Sequence, residues 1–301
     1  MTPLPPASPE RALPRGALTL VGTGLLLALA WRQVDAAALA DLSAHVRWGW
    51  VGLAAALVPL QIALAALRWR HISARLGHPL TPRRAVTEYA LSTLLNQVLP
   101  GGIGGDALRV WRQKTTGEID LGGALRAAVV ERWSGQAFLG VAAVGGVALW
   151  PILANGAARP TALLPLLGGV AAVLLCLPLV PPATPLIGAL SHDARVGVIQ
   201  HPWGVLALTL SLHLALLGGF GACAMALNHP LGAAMWVAVP VVLMAMALPL
   251  AVAGWGPREL GAMFALPWFG WTHTEAFALA ALFGVATLLG SLPGALAPWF
   301  P

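Results

Sequence analysis

Three pairs of opposite charge sit beside long apolar runs in this chain: Asp106 with Arg109, Glu131 with Arg132, and Arg258 with Glu259. An ionised side chain at the centre of a bilayer costs roughly 2.5–3.5 kcal/mol on insertion scales, so charges placed there are paired or hold a ligand. The first pair lies in "NQVLPGGIGGDALRVW", residues 96–111, where four glycines and a proline break an apolar stretch. Asp106 suits the N-cap or first turn of a new helix. Backbone N–H groups of Gly104 and Gly105 at such a terminus favour an anion, and Arg109, one turn in, would add a bidentate phosphate contact. The same residues serve equally well if Asp106 pairs with Arg109 and the glycines let helices approach closely. "GGIGGDA" also fits a dinucleotide fingerprint, which is set aside because no strand precedes it.

A counterpart occurs about half a chain later in "LPLAVAGWGPREL", residues 248–260. Counted from Leu99-Pro100 and from Leu248-Pro249, a glycine falls at the same offset (Gly105, Gly254), and so does an arginine (Arg109, Arg258). Paired interruptions in the two halves of a membrane chain point to a binding site. Pro257 suits the first turn of the helix that follows Gly256, and Glu259 suits its positive end.

The surroundings are those of a membrane protein. Of 301 residues, 58% are hydrophobic and only 9% charged, against roughly 25% charged in soluble domains. Mean hydropathy is +0.79. The net charge of +6 reads as topology and contact with anionic headgroups rather than nucleic acid, since no basic block with interleaved aromatics occurs. Cys176 and Cys223 both lie in apolar runs and read as packing residues. A hydrocarbon core about 30 Å thick needs roughly 20 apolar residues of helix. Candidate spans are 16–31, 48–67, about 133–153, 161–180, 203–227, 231–248 and 275–299. The expected fold is an all-α, polytopic helical bundle of about seven or eight membrane helices with re-entrant or broken segments. It forms one integral domain over 1–301, with a polar tail at 1–15 and possible pseudo-symmetric halves at about 16–150 and 151–301. The first span is read as an uncleaved helix rather than a secretory signal.

Positive charge sets the orientation. The 68–84 loop carries Arg68, Arg70, Arg75, Arg83 and Arg84 and is expected to face the cytoplasm. Arg109, Arg112 and Lys114 follow so soon that a re-entrant segment between them keeps both clusters inside. Loops 155–160 and 228–230 then face out and 192–201 faces in. Thr81-Pro82 opens a helix and Pro100-Gly101 stops it, giving about 17 residues. On that helix Glu88, Ser92 and Asn96, with Tyr89, Thr93 and Gln97 one residue on, form a polar stripe. It fits either an interfacial helix with its polar side in water or the lining of a polar cavity at membrane depth. Glu131 and Arg132, just before Trp133, read either as a functional pair or as the marked cytoplasmic end of a helix.

Taken together, "NQVLPGGIGGDALRVW", "VVERW" (129–133), "LPLAVAGWGPREL" and "LLGSLPGALAPW" (288–299) resemble the transmembrane region of lysylphosphatidylglycerol synthases and the flippase-like integral membrane proteins related to it. The resemblance covers most of the chain after the first helix. The arginines lead us to expect an anionic headgroup, and the N-terminus is expected on the cytoplasmic side. Separately, the resemblance implies a polytopic inner-membrane protein associated with moving a phospholipid or glycolipid headgroup across the bilayer, with both breaks facing the lipid path. Carried over by position, it marks Asn96, Pro100, Gly104, Gly105, Asp106, Arg109, Glu131, Arg132, Gly254, Gly256, Arg258 and Glu259. The chain departs from the family at Ala251, where a hydroxyl residue is common, and at Pro257, where an aliphatic one is. No soluble aminoacyl-transfer domain follows Pro301, so the chain by itself is not expected to be the synthase.

Catalysis has little support. The histidines lack the spacing of a helical metal pair, no G-x-S-x-G elbow occurs, and Glu118 with Asp120 sits in a short turn. No cofactor or metal is expected. The expected function is lipid-headgroup binding and translocation, with membrane lipids and a possible lipid-synthesis enzyme as partners. A non-transporting accessory subunit is the alternative, and a membrane-embedded transferase using Asp106 or Glu131 as base is the less favoured one.

Overall fold

A computed structural model describes residues 15–99, 104–115, 120–153, 164–179, 184–247 and 251–299. These residues form an all-α bundle with no strand among them. In chain order the helices are α1 (Arg15–Trp31), α2 (Ala36–Ala44), α3 (Trp48–Arg75), α4 (Pro82–Val98), α5 (Gly104–Thr115), α6 (Leu121–Ala148), α7 (Trp150–Leu153), α8 (Leu164–Cys176), α9 (Pro185–Ala194), α10 (Pro202–Ala226), α11 (Ala238–Met246), α12 (Pro257–Ala265) and α13 (His273–Ser291). Pro100, the glycines at 101 and 102, the 155–160 loop, Glu118 and Leu248-Pro249 lie outside the described residues.

Among the described residues three segments are long and apolar enough to cross a membrane: Trp48–Arg75, Pro202–Ala226 and His273–Ala297. α1 and α2, bent by 93° at their junction, make a fourth if counted as one broken span. The last of the three continues α13 into a 3-10 turn, Leu292–Trp299, that packs on α4.

α3 is the hub. It packs against α10 and α13 on one side of the sequence and against α4 and α6 on the other. The main apolar core joins α10, α11, α12 and α13, with Phe220 and Phe283 stacked at 3.8 Å between ring centroids. Lipid gives no hydrophobic drive between helices, so such packing relies on small residues that let backbones come close. Gly290 of α13 shows this: a Cβ there would overlap the Ala55 carbonyl of α3.

Two helix starts follow the expected chemistry. Thr81 accepts the Arg84 N–H at 3.3 Å with Pro82 in the first turn, and α4 runs the expected 17 residues. Asp120 accepts N–H groups from Gly122 and Gly123, which starts α6 twelve residues before the expected 133. Glu131 and Arg132 therefore lie within a 28-residue helix rather than at its end. Likewise α3 continues to Arg75, so the expected 68–84 loop shrinks to 76–81 and Arg68 is buried within a helix.

Both breaks return the chain on itself. Glu88 of α4 pairs with Arg112 of α5 and Asn96 with Gly105, so the two helices run antiparallel. At the second break Met246 lies beside Gly254 and Ala245 beside Gly261, so α12 folds back on α11. At about 25 Å and 18 Å, neither α4 nor α5 reaches across a core of about 30 Å. Gly290→Ala is expected to lower stability by about 1–3 kcal/mol through overpacking. Gly52→Ala, where no atom lies within 4 Å of a new Cβ, is expected to cost nothing. Thermal midpoints in detergent read the difference, and equal midpoints would contradict the close α3–α13 contact.

Candidate functional site

The α4–α5 hairpin is held by its polar stripe. Ser92 donates to Asp106 Oδ1 at 3.1 Å, and Asn96, one turn on, donates to Asp106 Oδ2 at 3.3 Å. The Asn96 amide oxygen accepts the Gly105 N–H at 2.8 Å, which satisfies one of the open donors at the start of α5. Gly105 must be glycine for this fit, because a Cβ would overlap the Ser92 carbonyl. A Cβ on Gly104 would press on Leu99 at 2.9 Å. The stripe is thus neither water-facing nor an open cavity wall. Its first row, Glu88, Ser92 and Asn96, is a seam between helices. Of the second row, Tyr89 reaches α6 and Thr93 bonds back to the Tyr89 carbonyl, at 2.8 Å.

Behind the seam lies a cluster of charges from α3, α5 and α6, joined by Tyr89 of α4. Glu131 of α6, fully buried, takes two hydrogen bonds from Arg68 of α3 on Oε1, at 3.2 Å from Nε and 2.5 Å from Nη2. The Tyr89 hydroxyl points at the same oxygen, at 3.4 Å. Arg109 of α5, also buried, lies 3.2 Å from Asp106 and 3.7 Å from Glu131 Oε2. Its guanidinium carbon sits 4.4 Å from the Trp69 ring centroid and 4.5 Å from that of Tyr89, so π-faces and carboxylates hold it together. Arg132, with its side chain 47% exposed, closes the cluster by pairing with Asp106. Three guanidinium groups meet two carboxylates here, which leaves one positive charge.

Asp106 and Arg109 do pair. Glu131 and Arg132 do not pair with one another: each meets a partner that packing brings from another helix, Arg68 for Glu131 and Asp106 for Arg132. Sequence reasoning missed Arg68, which it assigned to a loop, and Trp69. The signal available was Gly135, one turn after Glu131, whose missing Cβ makes room for the Arg68 guanidinium at 3.1 Å.

The second break is built differently. Ala253, Gly254 and Gly256 all adopt positive φ, at 54°, 75° and 95°, in the turn that precedes α12. Pro257 starts that helix. Glu259 Oε2 accepts the Gly256 N–H at 2.6 Å, closing the helix end. Its other oxygen accepts from Arg258 Nε at 2.9 Å and Nη2 at 2.5 Å, and the guanidinium lies 4.2 Å from the Trp255 ring centroid. Both side chains are fully buried and neutralise each other. α1 covers this turn: Thr23 accepts the Val252 N–H at 2.9 Å. Arg109 and Arg258 share no partner among the described residues. The two arginines sit in different clusters, one with three guanidinium groups against two carboxylates and one with a single ion pair.

Removing one member of a buried ion pair strands its partner, which costs about 3–5 kcal/mol. Arg109→Ala and Arg258→Ala are each expected to lose that much, whereas Arg132→Gln, half-exposed, is expected to lose well under half of it. Chemical or thermal unfolding in detergent checks the ranking. An Arg109→Ala protein as stable as wild type would show that the cluster carries no structural weight.

Among the described residues no group of three His, Cys, Asp or Glu side chains could hold a metal ion. Comparison with curated proteins and with solved structures finds no match. The family model described as "Lysylphosphatidylglycerol synthase TM region" matches residues 16–294. That match spans both hairpins and the charge cluster between α3, α4, α5 and α6. The chain therefore belongs to the lysylphosphatidylglycerol synthase transmembrane-region family, as a helical membrane protein related to lipid metabolism.

Proposed function

We propose that this protein binds the anionic headgroup of a phospholipid or glycolipid at the Arg68–Arg109–Arg132 cluster and moves it between leaflets of the cell (inner) membrane. The observation that carries the reading is the unbalanced charge of a largely buried site, with three arginines against two carboxylates. An excess cation in a low-dielectric setting is costly alone and recovers that cost when an anion joins it. Arg132 is the entry point. It is the half-exposed member, and a phosphate can compete with Asp106 for its guanidinium, while Arg68 and Arg109 supply field from behind.

The Arg258–Glu259 hairpin takes a structural role in this reading, since its charges already cancel and Glu259 caps α12. No chemistry on the lipid is proposed: Asp106 and Glu131 are each engaged by two guanidinium groups and neither is a free base. The N-terminus is placed on the cytoplasmic side. The internal neutrality of the second hairpin favours one alternative, a non-transporting subunit that holds a lipid for a lipid-synthesis enzyme.

Vesicles containing a phosphatidylglycerol with a reducible fluorescent headgroup test both readings. Wild-type protein is expected to expose inner-leaflet lipid to external reductant, and Arg132→Gln to slow this about tenfold, the value of one charge-assisted contact. Exposure no faster than in protein-free vesicles would overturn transport. Selective retention of anionic lipid in detergent, seen by mass spectrometry without movement, would establish the subunit reading instead.

A further inference from the structure

α2 precedes the charge cluster in the chain and contributes no residue to it. The 93° bend after α1 turns α2 at right angles to it. No residue of α2 is buried, yet both of its ends are tied down. Asp35 caps it, accepting N–H groups from Ala37 and Ala38 at 2.9 and 3.1 Å, and the Asp35 N–H donates to Thr274 Oγ1 at 3.0 Å. Beyond its other end, the Arg47 N–H donates to the Ala226 carbonyl at 2.9 Å and Arg47 Nη1 to Asn228 Oδ1 at 2.9 Å.

Between the tethers α2 stands off α13 and leaves a groove of about 410 Å³, walled by Leu39, Leu42, Val46, Leu227, Phe277 and Leu282 among others. Ser43 is the one polar side chain in that wall. This volume falls in the range of ligand sites, roughly 300–1,000 Å³. Next to Val46, Arg47 is exposed and has no carboxylate partner among the described residues; its side chain meets only the neutral Asn228 amide. The nearby acids are otherwise engaged, Asp41 by His45 and Glu275 by Thr272 and His229. Trp31 and Trp48, 52% and 63% exposed, flank the element as residues of a membrane interface do.

We propose that this groove holds one acyl chain of a resident phospholipid whose phosphate is met by Arg47. An apolar slot of this size with a lone cation beside it matches the two ends of a phospholipid. The site uses no residue of the Arg109 cluster, so it stands or falls independently of lipid translocation.

The test uses the full chain in vesicles of phosphatidylcholine and phosphatidylglycerol, doped with a phosphatidylglycerol that carries a diazirine in one acyl chain. After photolysis, peptides over 36–46 and 277–285 are expected to carry about tenfold more label than the exposed lipid-facing positions Val173 and Leu175 of α8. Ala281→Trp, which fills the groove, is expected to remove that excess and one co-purified phospholipid. Arg47→Gln is expected to weaken retention about tenfold, one charge-assisted contact. Equal labelling of α8 and the groove, an annular lipid only, overturns the proposal. So does a crosslink between α2 segments of two copies in place of lipid label. Should Ala281→Trp fail to fold, the wild-type label ratio and Arg47→Gln decide between the same outcomes.

Discussion

The position of Glu131 constrains much of the structure around it. A fully buried carboxylate is tolerated only when cations and hydrogen-bond donors surround it. Arg68 from α3, Arg109 from α5 and Tyr89 from α4 all converge on it, so three other helices are fixed relative to α6 by one side chain. Asp106 repeats the arrangement at the edge, tying Ser92 and Asn96 of α4 to Arg109 and Arg132. Ionic contacts of this kind contribute less to net stability than to specificity. Here they select one register of α4 against α5, because any other leaves a charge buried alone.

Glycine sets the distances at which those charges meet. Close approach at Gly105 brings Asp106 to the seam, and the gap at Gly135 lets the Arg68 guanidinium lie flat against α6. Gly284 serves the second cluster in the same way, since a Cβ there would overlap Arg258. The two hairpins share their outline, a helix, a glycine-bearing break and a helix folded back, but differ in electrostatics. The first takes its partners from four helices and keeps a surplus charge. The second balances its charge within two adjacent residues, with Glu259 also capping the helix, and leaves Arg258 Nη1 without a hydrogen-bond partner among the described residues.

That difference separates binding capacity from architecture. A buried pair whose charges cancel attracts an incoming anion less than a cluster with an extra guanidinium, one of them half-exposed. The apolar surfaces complement this division. Small residues pack α3 against α10 and α13 into a stable spine, and the α4–α5 hairpin rests on that spine through Trp69 and through the 3-10 turn at Leu292–Trp299.

Composition and local chemistry determined a good deal. Membrane class follows from 9% charged residues, and the bounds of α4 follow from Thr81-Pro82 and the glycine run, because caps and proline act within one turn. Asp106 in a first turn, Pro257 as a helix start and Glu259 at its positive end were legible for the same reason. Both breaks were legible in their glycines, prolines and matching arginine offsets. What the sequence could not supply was the pairing of charges across helices. Glu131 and Arg132 are adjacent in the chain and so read as a pair, while their partners lie 63 and 26 residues away. Only the folded bundle decides that, since a guanidinium chooses the carboxylate that packing brings near it, and packing depends on every helix at once.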